Sequence, residues 1–378
     1  MSKAKVSIAD FDKRMAPLNG SRTLLLWHKA DENPFRLAGF PWFAQDRLFR
    51  RMPLSPPGKL PEAIDRLANC PAGGQVTFQS NSRHVAVRVK LAGPADMNHM
   101  PATGQCGFDL YIGPPLAKMF HRVTKYDHRQ TTYEALLFEH TDAAPRDFTL
   151  NFPLYKSVED LRVGLDPEAQ INPAPPYSIE GRIVVYGTSI TQGGCASRPG
   201  MAYTNILSRR LNVEVVNLGF SGSGKGEPEV CRSFALIPNV RLYVLDYEAN
   251  AGGVRQFKKT LPKNIHILRE KHRNVPILVV SRIKFSSDFT HAEKLREREQ
   301  SRDMQAQLVE NARNNGDAFI YFLDGSTLLG DDFDECTVDG VHPTDMGFMR
   351  IARGMEPVIR KILDGSQPKA QRTADRRR

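Results

Sequence analysis

Cysteine is scarce and unpaired. The 378 residues hold five (Cys70, Cys106, Cys195, Cys231, Cys336), scattered along the chain without a CxxC pair. That argues against a disulfide framework and against a zinc-finger spacing, and implies reduced thiols. Long apolar runs are absent as well: nothing approaches the ~18–20 uninterrupted apolar residues of a membrane span, so no membrane partner is expected. The opening MSKAKVSIADFDKR has basic residues with no apolar run behind them. No signal peptide is read there, and the expected location is the cytoplasm, with a secreted form left open. Aromatics make up 8% of the chain. No zinc-finger or RRM-type motif accompanies them, so no nucleic-acid partner is expected despite a net charge of +10.

What is present is ordinary for a globular protein: 40% hydrophobic and 25% charged residues. At roughly 150 residues per domain the length implies two domains. Part of the basic excess falls in Lys369, Arg372 and Arg376 to Arg378. Residues 366–378 are therefore read as a basic, disordered tail. The remaining positive charge would suit an acidic partner such as acyl-CoA or an anionic polysaccharide.

The chain has two rhythms. In the first half Val85, Val87 and Val89 alternate with His84, Ala86 and Arg88, the period of a half-buried strand. Similar strands are expected at 75–80, 107–112, 132–140, 147–152 and 157–165, with Pro and Gly between them. An antiparallel β-sandwich over residues 1–175 follows. After Asn172-Pro173-Ala174-Pro175-Pro176, which reads as a linker, short apolar runs at 182–186, 214–217, 242–246, 277–282 and 318–323 alternate with helical segments. The helices are expected at 202–211, 227–235, 254–272, 291–314 and 344–363. Strands buried on both faces and alternating with helices predict an α/β unit over 176–365, a doubly wound parallel sheet. In such a sheet the chemistry lies just beyond the carboxyl ends of the strands.

Four of those ends carry suggestive residues. Gly187-Thr188-Ser189 places a serine at a strand-to-turn junction, where a hydroxyl can stand exposed; on its own such a serine is more often a turn or helix cap. The second end reads Asn217-Leu218-Gly219-Phe220-Ser221-Gly222-Ser223-Gly224-Lys225-Gly226, which lacks the order of a phosphate-binding P-loop. It is either a flexible turn or a source of a glycine amide for an oxyanion. Asn250 follows the third strand and offers a side-chain amide for the same purpose, or is a turn residue. The last end holds Asp339-Gly340-Val341-His342-Pro343. Its carboxylate can reach Nδ1 of the imidazole three residues on, leaving Nε2 free as a base. Pro343 suits the first turn of the final helix. The acidic loop Asp331, Asp332, Asp334 and Glu335 lacks the ligand order and glycine of an EF-hand, so no metal is expected. Arg198 and Arg282 are candidates for the mouth of the site, to hold a carboxylate, sulfate or sugar hydroxyl, against a structural role. Cys195 is read as a small packed residue. Trp27, Phe40, Trp42 and Phe43 are read as packing rather than sugar stacking.

In this order the residues resemble the four blocks of SGNH (GDSL-type) hydrolases, from Ile183 to the terminal helix. Ser189 matches the nucleophile, Gly222 and Asn250 the oxyanion donors, and Asp339 and His342 the final block. The first block reads GTS instead of GDS, and the third Ala249-Asn250-Ala251 instead of Gly-x-Asn-Asp. Gly107-Phe108-Asp109-Leu110-Tyr111 resembles the GxDLY motif of the β-domain that precedes one branch of that family. The resemblance implies a flavodoxin-like α/β sheet. It also implies a serine esterase without cofactor that cleaves small acyl, chiefly acetyl, esters of a carbohydrate-like substrate through an acyl-enzyme. Two rivals stand beside it. One is an acyltransferase passing the acyl group to a sugar or small alcohol, and the other is a carbohydrate-binding protein with an inactive catalytic domain.

Overall fold

The computed structural model describes residues 24–365. The expected basic tail and the opening segment lie outside the described residues. The first half contains strands β1 (Leu26–Lys29), β2 (Arg36–Ala38), β3 (Gln75–Ser80), β4 (His84–Leu91), β5 (Asp109–Ile112), β6 (Met119–Val123), β7 (Thr132–Glu139), β8 (Arg146–Asn151), β9 (Val158–Leu165) and β10 (Ile171–Pro173). They form two antiparallel sheets, β1-β9-β4-β7 and β10-β3-β8-β5-β6, with β2 added beside β3. Inward-facing Val85, Val87 and Val89 of the first sheet meet Val76, Phe78, Leu110 and Phe148 of the second in one core. The period of two in β4 is thus the record of one buried face.

Residues of the proline-rich linker also serve as structure. Ile171–Pro173 is an edge strand on β3, a place where a proline without an N–H is tolerated. The short strands β1, β2, β6 and β10 escaped the sequence reading because three to five residues carry too little periodicity.

The second half is an α/β unit with strands β11 (Ile179–Gly187), β12 (Val213–Gly219), β13 (Val240–Asp246), β14 (Ile277–Val280) and β15 (Ile320–Leu323). All pair in parallel, in the order β12-β11-β13-β14-β15. The flavodoxin-like order puts the topological switch between β11 and β13. Alternate residues feed two cores. Ile183, Val185, Leu242 and Val244 face the helices Tyr203–Leu211 and Asp345–Gly365. Val184, Tyr186, Tyr243 and Leu245 face Pro228–Phe234 and Val254–Lys271. Each strand is covered on both sides, which explains its unbroken apolar run. Among the described residues no helix is long and apolar enough to cross a membrane.

The two halves are stitched by a residue the sequence reading passed over. Arg51 is fully buried, and among the described residues no carboxylate is its partner. Its guanidinium donates to the carbonyls of Cys70 and Leu67, and across the junction to Asn217 O at 3.1 Å and Gly219 O at 2.6 Å. Desolvation lowers its pKa to about 10. It therefore ties the segment ahead of β3 to the carboxyl end of β12, where the site begins.

Candidate active site

The site is built at the ends of β11, β12 and β13. Gly187 ends β11 because a side chain has no room there: a Cβ would meet Thr191 Oγ1 at 2.0 Å and Asp246 O at 2.6 Å. Thr188 then caps the short helix Ser189–Gln192, its hydroxyl accepting from Ile190 N at 3.3 Å. A hydroxyl oxygen serves as this cap, so a helix begins at Ser189 even though the block reads GTS.

Two side chains hold that helix in place. Asn217, fully buried at the end of β12, donates to Thr191 O at 2.6 Å and Thr204 Oγ1 at 2.9 Å, while its carbonyl accepts from Gly219 N. Gln192 donates to Leu154 O, just after β8, and accepts from Ser221 N at 3.0 Å. One side chain thus links the sandwich, the serine helix and the glycine-rich loop. Both residue types were present in the motifs, but their roles depend on partners far along the chain.

Ser189, Asp339 and His342 are brought together. Ser189 is 7% exposed and its Oγ lies 2.8 Å from His342 Nε2. His342 Nδ1 lies 2.7 Å from Asp339 Oδ2. Asp339 Oδ1 accepts from the backbone N–H of Val341 and His342, so the carboxylate is held by its own turn. Burial raises its pKa, but the backbone and side-chain hydrogen bonds of His342 outweigh that and hold it below the ordinary aspartate value. The turn is closed by a bridge between Thr337 and Pro343. This corrects the expected place of Pro343, which lies in the bridge ahead of the Asp345–Gly365 helix and not in its first turn.

The glycine-rich loop turns through left-handed conformations at Gly222, Gly224 and Gly226. A Cβ at Gly224 would lie 2.1 Å from Gly187 O, whereas one at Gly222 would meet nothing within 4 Å. Ser221 N–H and Ser223 N–H are engaged by Gln192 Oε1 and Phe220 O. Among the described residues Gly222 N–H and Ser189 N–H have no hydrogen-bond partner. Ser189 N–H is one of the orphan donors of a helix first turn. Asn250 donates from Nδ2 to Ser223 O, which places its amide against the same loop.

The two arginines are committed elsewhere. Arg198 donates to Asp109 Oδ2 at 2.9 Å and Tyr111 Oη at 2.6 Å, and lies over the Phe120 ring at 3.6 Å. It clasps the sandwich to the loop after the serine helix, the structural role set beside its expected place at the mouth of the site. Arg282 makes two bonds to Asp288, at 2.7 and 2.8 Å, and its backbone N–H donates to Glu248. It stands, with Asn250, Phe285 and Arg298, in the wall of a cavity of about 400 Å³. Its charge is already met by carboxylates, the structural role set beside its expected part in holding an anion.

The remaining readings fall into place. Cys195 is buried beside the site, and burial, with the Asp339 charge, pushes its thiol up to about 11, so it is no thiolate at neutral pH. Phe40 belongs to the sandwich core and Phe43 packs against it; Trp42 packs under the parallel sheet, and Arg88 lies over the Trp27 ring at 4.2 Å. Asp246, at the end of β13, accepts from Tyr203 Oη at 2.7 Å and Thr191 Oγ1 at 3.1 Å, and desolvation pushes its carboxyl up to about 7.

Residues 180–360 match the GDSL-like lipase/acylhydrolase family, and residues 25–171 match the N-terminus of esterases of the SGNH-hydrolase type, GxDLY. No curated protein matches the chain. Among solved structures, one described as a GDSL-like lipase from Bacteroides ovatus is 29% identical, with 90% of this chain and 98% of that one covered and a TM-score of 0.82. The salicylyl-acyltransferase SsfX3 from a tetracycline biosynthetic pathway is 17% identical over 89% of this chain and 97% of that one, at a TM-score of 0.70. A family two carbohydrate esterase from Clostridium thermocellum, solved with cellohexaose, is 15% identical over 78% and 94%, at 0.57. The last two likenesses are of fold.

Proposed function

Because this chain belongs to the GDSL-like, SGNH-type esterases with a GxDLY N-terminal domain, we propose that Ser189, His342 and Asp339 are its catalytic triad, acting on small acyl esters of a carbohydrate-like alcohol. The reading is carried by one observation, the unbroken chain of hydrogen bonds from Ser189 Oγ through the imidazole to Asp339.

His342 Nε2 takes the proton of Ser189 as Oγ attacks the ester carbonyl, and Asp339 holds the imidazole in the tautomer that allows it. The oxyanion that develops is met by the N–H groups of Ser189 and Gly222 and by the Asn250 amide. Each such donor contributes roughly 2.7–4 kcal/mol to transition-state stabilisation. His342 returns the proton to the leaving alcohol, and water then releases the acyl group from Ser189 by the same steps in reverse. No metal or organic cofactor has a part in this scheme.

The carbohydrate-like substrate is supported by the resemblance to the GxDLY branch and by a fold shared with family two carbohydrate esterases. The fold is shared more fully with an acyltransferase, at a TM-score of 0.70 against 0.57. Transfer to an acceptor alcohol therefore stands as the second reading.

The test is hydrolysis of p-nitrophenyl acetate and of an acetylated sugar by wild type and Ser189→Ala. The variant is expected to lose about three orders of magnitude or more in kcat/KM. Equal rates in the two proteins would remove Ser189 as nucleophile. Faster cleavage of octanoyl than of acetyl esters would overturn the small-acyl reading. Suppression of free acid by an added sugar alcohol, with acylated sugar appearing in its place, would establish transfer.

A further inference from the structure

Three side chains from separate parts of the chain converge at His342, the partner of Ser189. His99 lies on the segment between β4 and β5 of the sandwich, Cys195 in the loop after the serine helix, and His342 in the final turn. One ligand atom from each lies within 4.8 Å of the other two. The two imidazole rings have centroids 6.2 Å apart.

The convergence is held from below. Gln105, 1% exposed, binds both flanks of the His99 turn, accepting from Asp96 N and Met97 N and donating to Met97 O and Met100 O. Cys195 is fixed in a left-handed backbone conformation, φ 73°. A Cβ on Gly194 would lie 3.3 Å from His342 Cδ2, so the Cδ2–Nε2 edge of that ring passes over the neighbour of Cys195. With Nδ1 engaged by Asp339, the lone pair of His342 is on Nε2, where it accepts from Ser189 Oγ, the bond a metal there would displace.

We infer that His99, Cys195 and His342 form an inhibitory binding site for a borderline-soft divalent cation of the Zn²⁺ class. Two imidazole nitrogens and a thiolate are a preferred donor set for that ion, at about 2.0–2.1 Å from nitrogen and about 2.3 Å from sulfur. Bringing the donors to those distances asks for a closure of about 1 Å. His99 can supply it: it is exposed, and among the described residues its ring is hydrogen-bonded only to the neighbouring Asn98 Oδ1, at 3.2 Å. On binding, the Cys195 thiol gives its proton to solvent, the sulfur–metal bond forms, and nothing is oxidised or reduced. Asp339 on the far nitrogen of His342 is the carboxylate partner that strengthens a metal-bound imidazole. The metal occupies the lone pair that would otherwise take the Ser189 proton.

The inhibition rests on the catalytic reading of His342, whereas the binding does not, and the experiment separates them. ZnCl₂ is titrated into the ester assay of wild type, His99→Ala and Cys195→Ser, followed by EDTA. In parallel, the same three proteins are titrated with CoCl₂ and the thiolate-to-cobalt absorbance is recorded. Wild type is expected to lose activity and recover it with EDTA. The variants keep their basal rate, and their half-inhibiting zinc concentration rises by about tenfold or more. The cobalt band is expected in wild type and His99→Ala, weaker in the latter, and absent in Cys195→Ser. Equal inhibition of all three proteins, or no thiolate band in wild type, would overturn the site. A cobalt band without metal-sensitive hydrolysis would retain the site and overturn the catalytic role of His342.

Discussion

Asp109, on β5 of the sandwich, accepts a 2.9 Å hydrogen bond from Arg198, which lies 89 residues later in the loop beyond the serine helix. The same carboxylate accepts from Gly200 N at 2.8 Å and from Asn151 Nδ2 at 2.7 Å. Burial raises its pKa, opposed by the Arg198 charge and these bonds. Asp109 and Tyr111 are the third and fifth residues of the Gly107–Tyr111 motif, so that motif works here as a clasp between the two halves of the chain.

Removing the cation from this clasp should therefore read as a loss of stability. Arg198→Ala leaves Asp109 buried without its partner, which typically costs about 3–5 kcal/mol. Arg198→Lys is expected to recover little, because a lysine cannot span Asp109 and Tyr111 and lie over Phe120 together. Chemical denaturation measures both. A variant within experimental error of wild type would remove the clasp.

Asp339→Asn keeps the size of the side chain but lets the imidazole take the wrong tautomer. The expected loss is about four orders of magnitude in kcat, with KM and the unfolding midpoint nearly unchanged. Steady-state kinetics on p-nitrophenyl acetate decides it; a loss below tenfold would mean that Asp339 does not orient His342.

At Gly219 a Cβ would lie 2.1 Å from Gln192 N and 2.6 Å from Thr191 C, both backbone atoms of the serine helix. Gly219→Ala must push that helix away from His342. Misplacement on the order of 1 Å costs about a hundredfold in rate. The expectation is a folded protein with kcat reduced by about that factor. Full activity in the variant would show that the helix tolerates displacement.

Asp246 links stability to pH. Its carboxyl is pushed up to about 7 in the folded protein, from an ordinary 3.8. The native state thus holds this proton more tightly than the unfolded chain does. The stability from this group is complete below about pH 4, falls as pH rises towards 7, and is flat above. Asp246→Asn mimics the protonated form and still accepts from Tyr203 and Thr191. Its stability relative to wild type should grow between pH 4 and 8, by up to about 4 kcal/mol at 1.36 kcal/mol per pH unit. Urea denaturation at several pH values tests this, and a difference independent of pH would contradict it.

Much of the site was legible because its signals are local. Asp339 and His342 are three residues apart and share one turn, and Ser189 follows directly on a strand whose apolar run announces itself. Arg198 stayed open between two roles for the opposite reason. A loop arginine near a serine looks the same whether it faces substrate or a buried carboxylate, and Asp109 is brought to it only by the packing of the sandwich. Asn217 and Gln192 were visible as motif letters, yet their work of holding the serine helix is done through Thr191 O, Thr204 and Leu154 O. Arg51 left no signal at all, since its partners are backbone carbonyls, which every sequence possesses.

The sequence by itself determined the succession of the longer strands and helices, the two classes of sheet and the Asp339–His342 pair, since periodicity and short spacing are written in neighbouring residues. Only the tertiary structure decided which arginine meets which carboxylate, and that Gly222 and Ser189 keep N–H groups without a partner among the described residues while Gly224 is needed for close approach. It also decided that His99 of the sandwich stands over the imidazole of the α/β unit. Those relations join residues tens to hundreds of positions apart, and burial, sterics and hydrogen-bond satisfaction act on them only once both halves have packed.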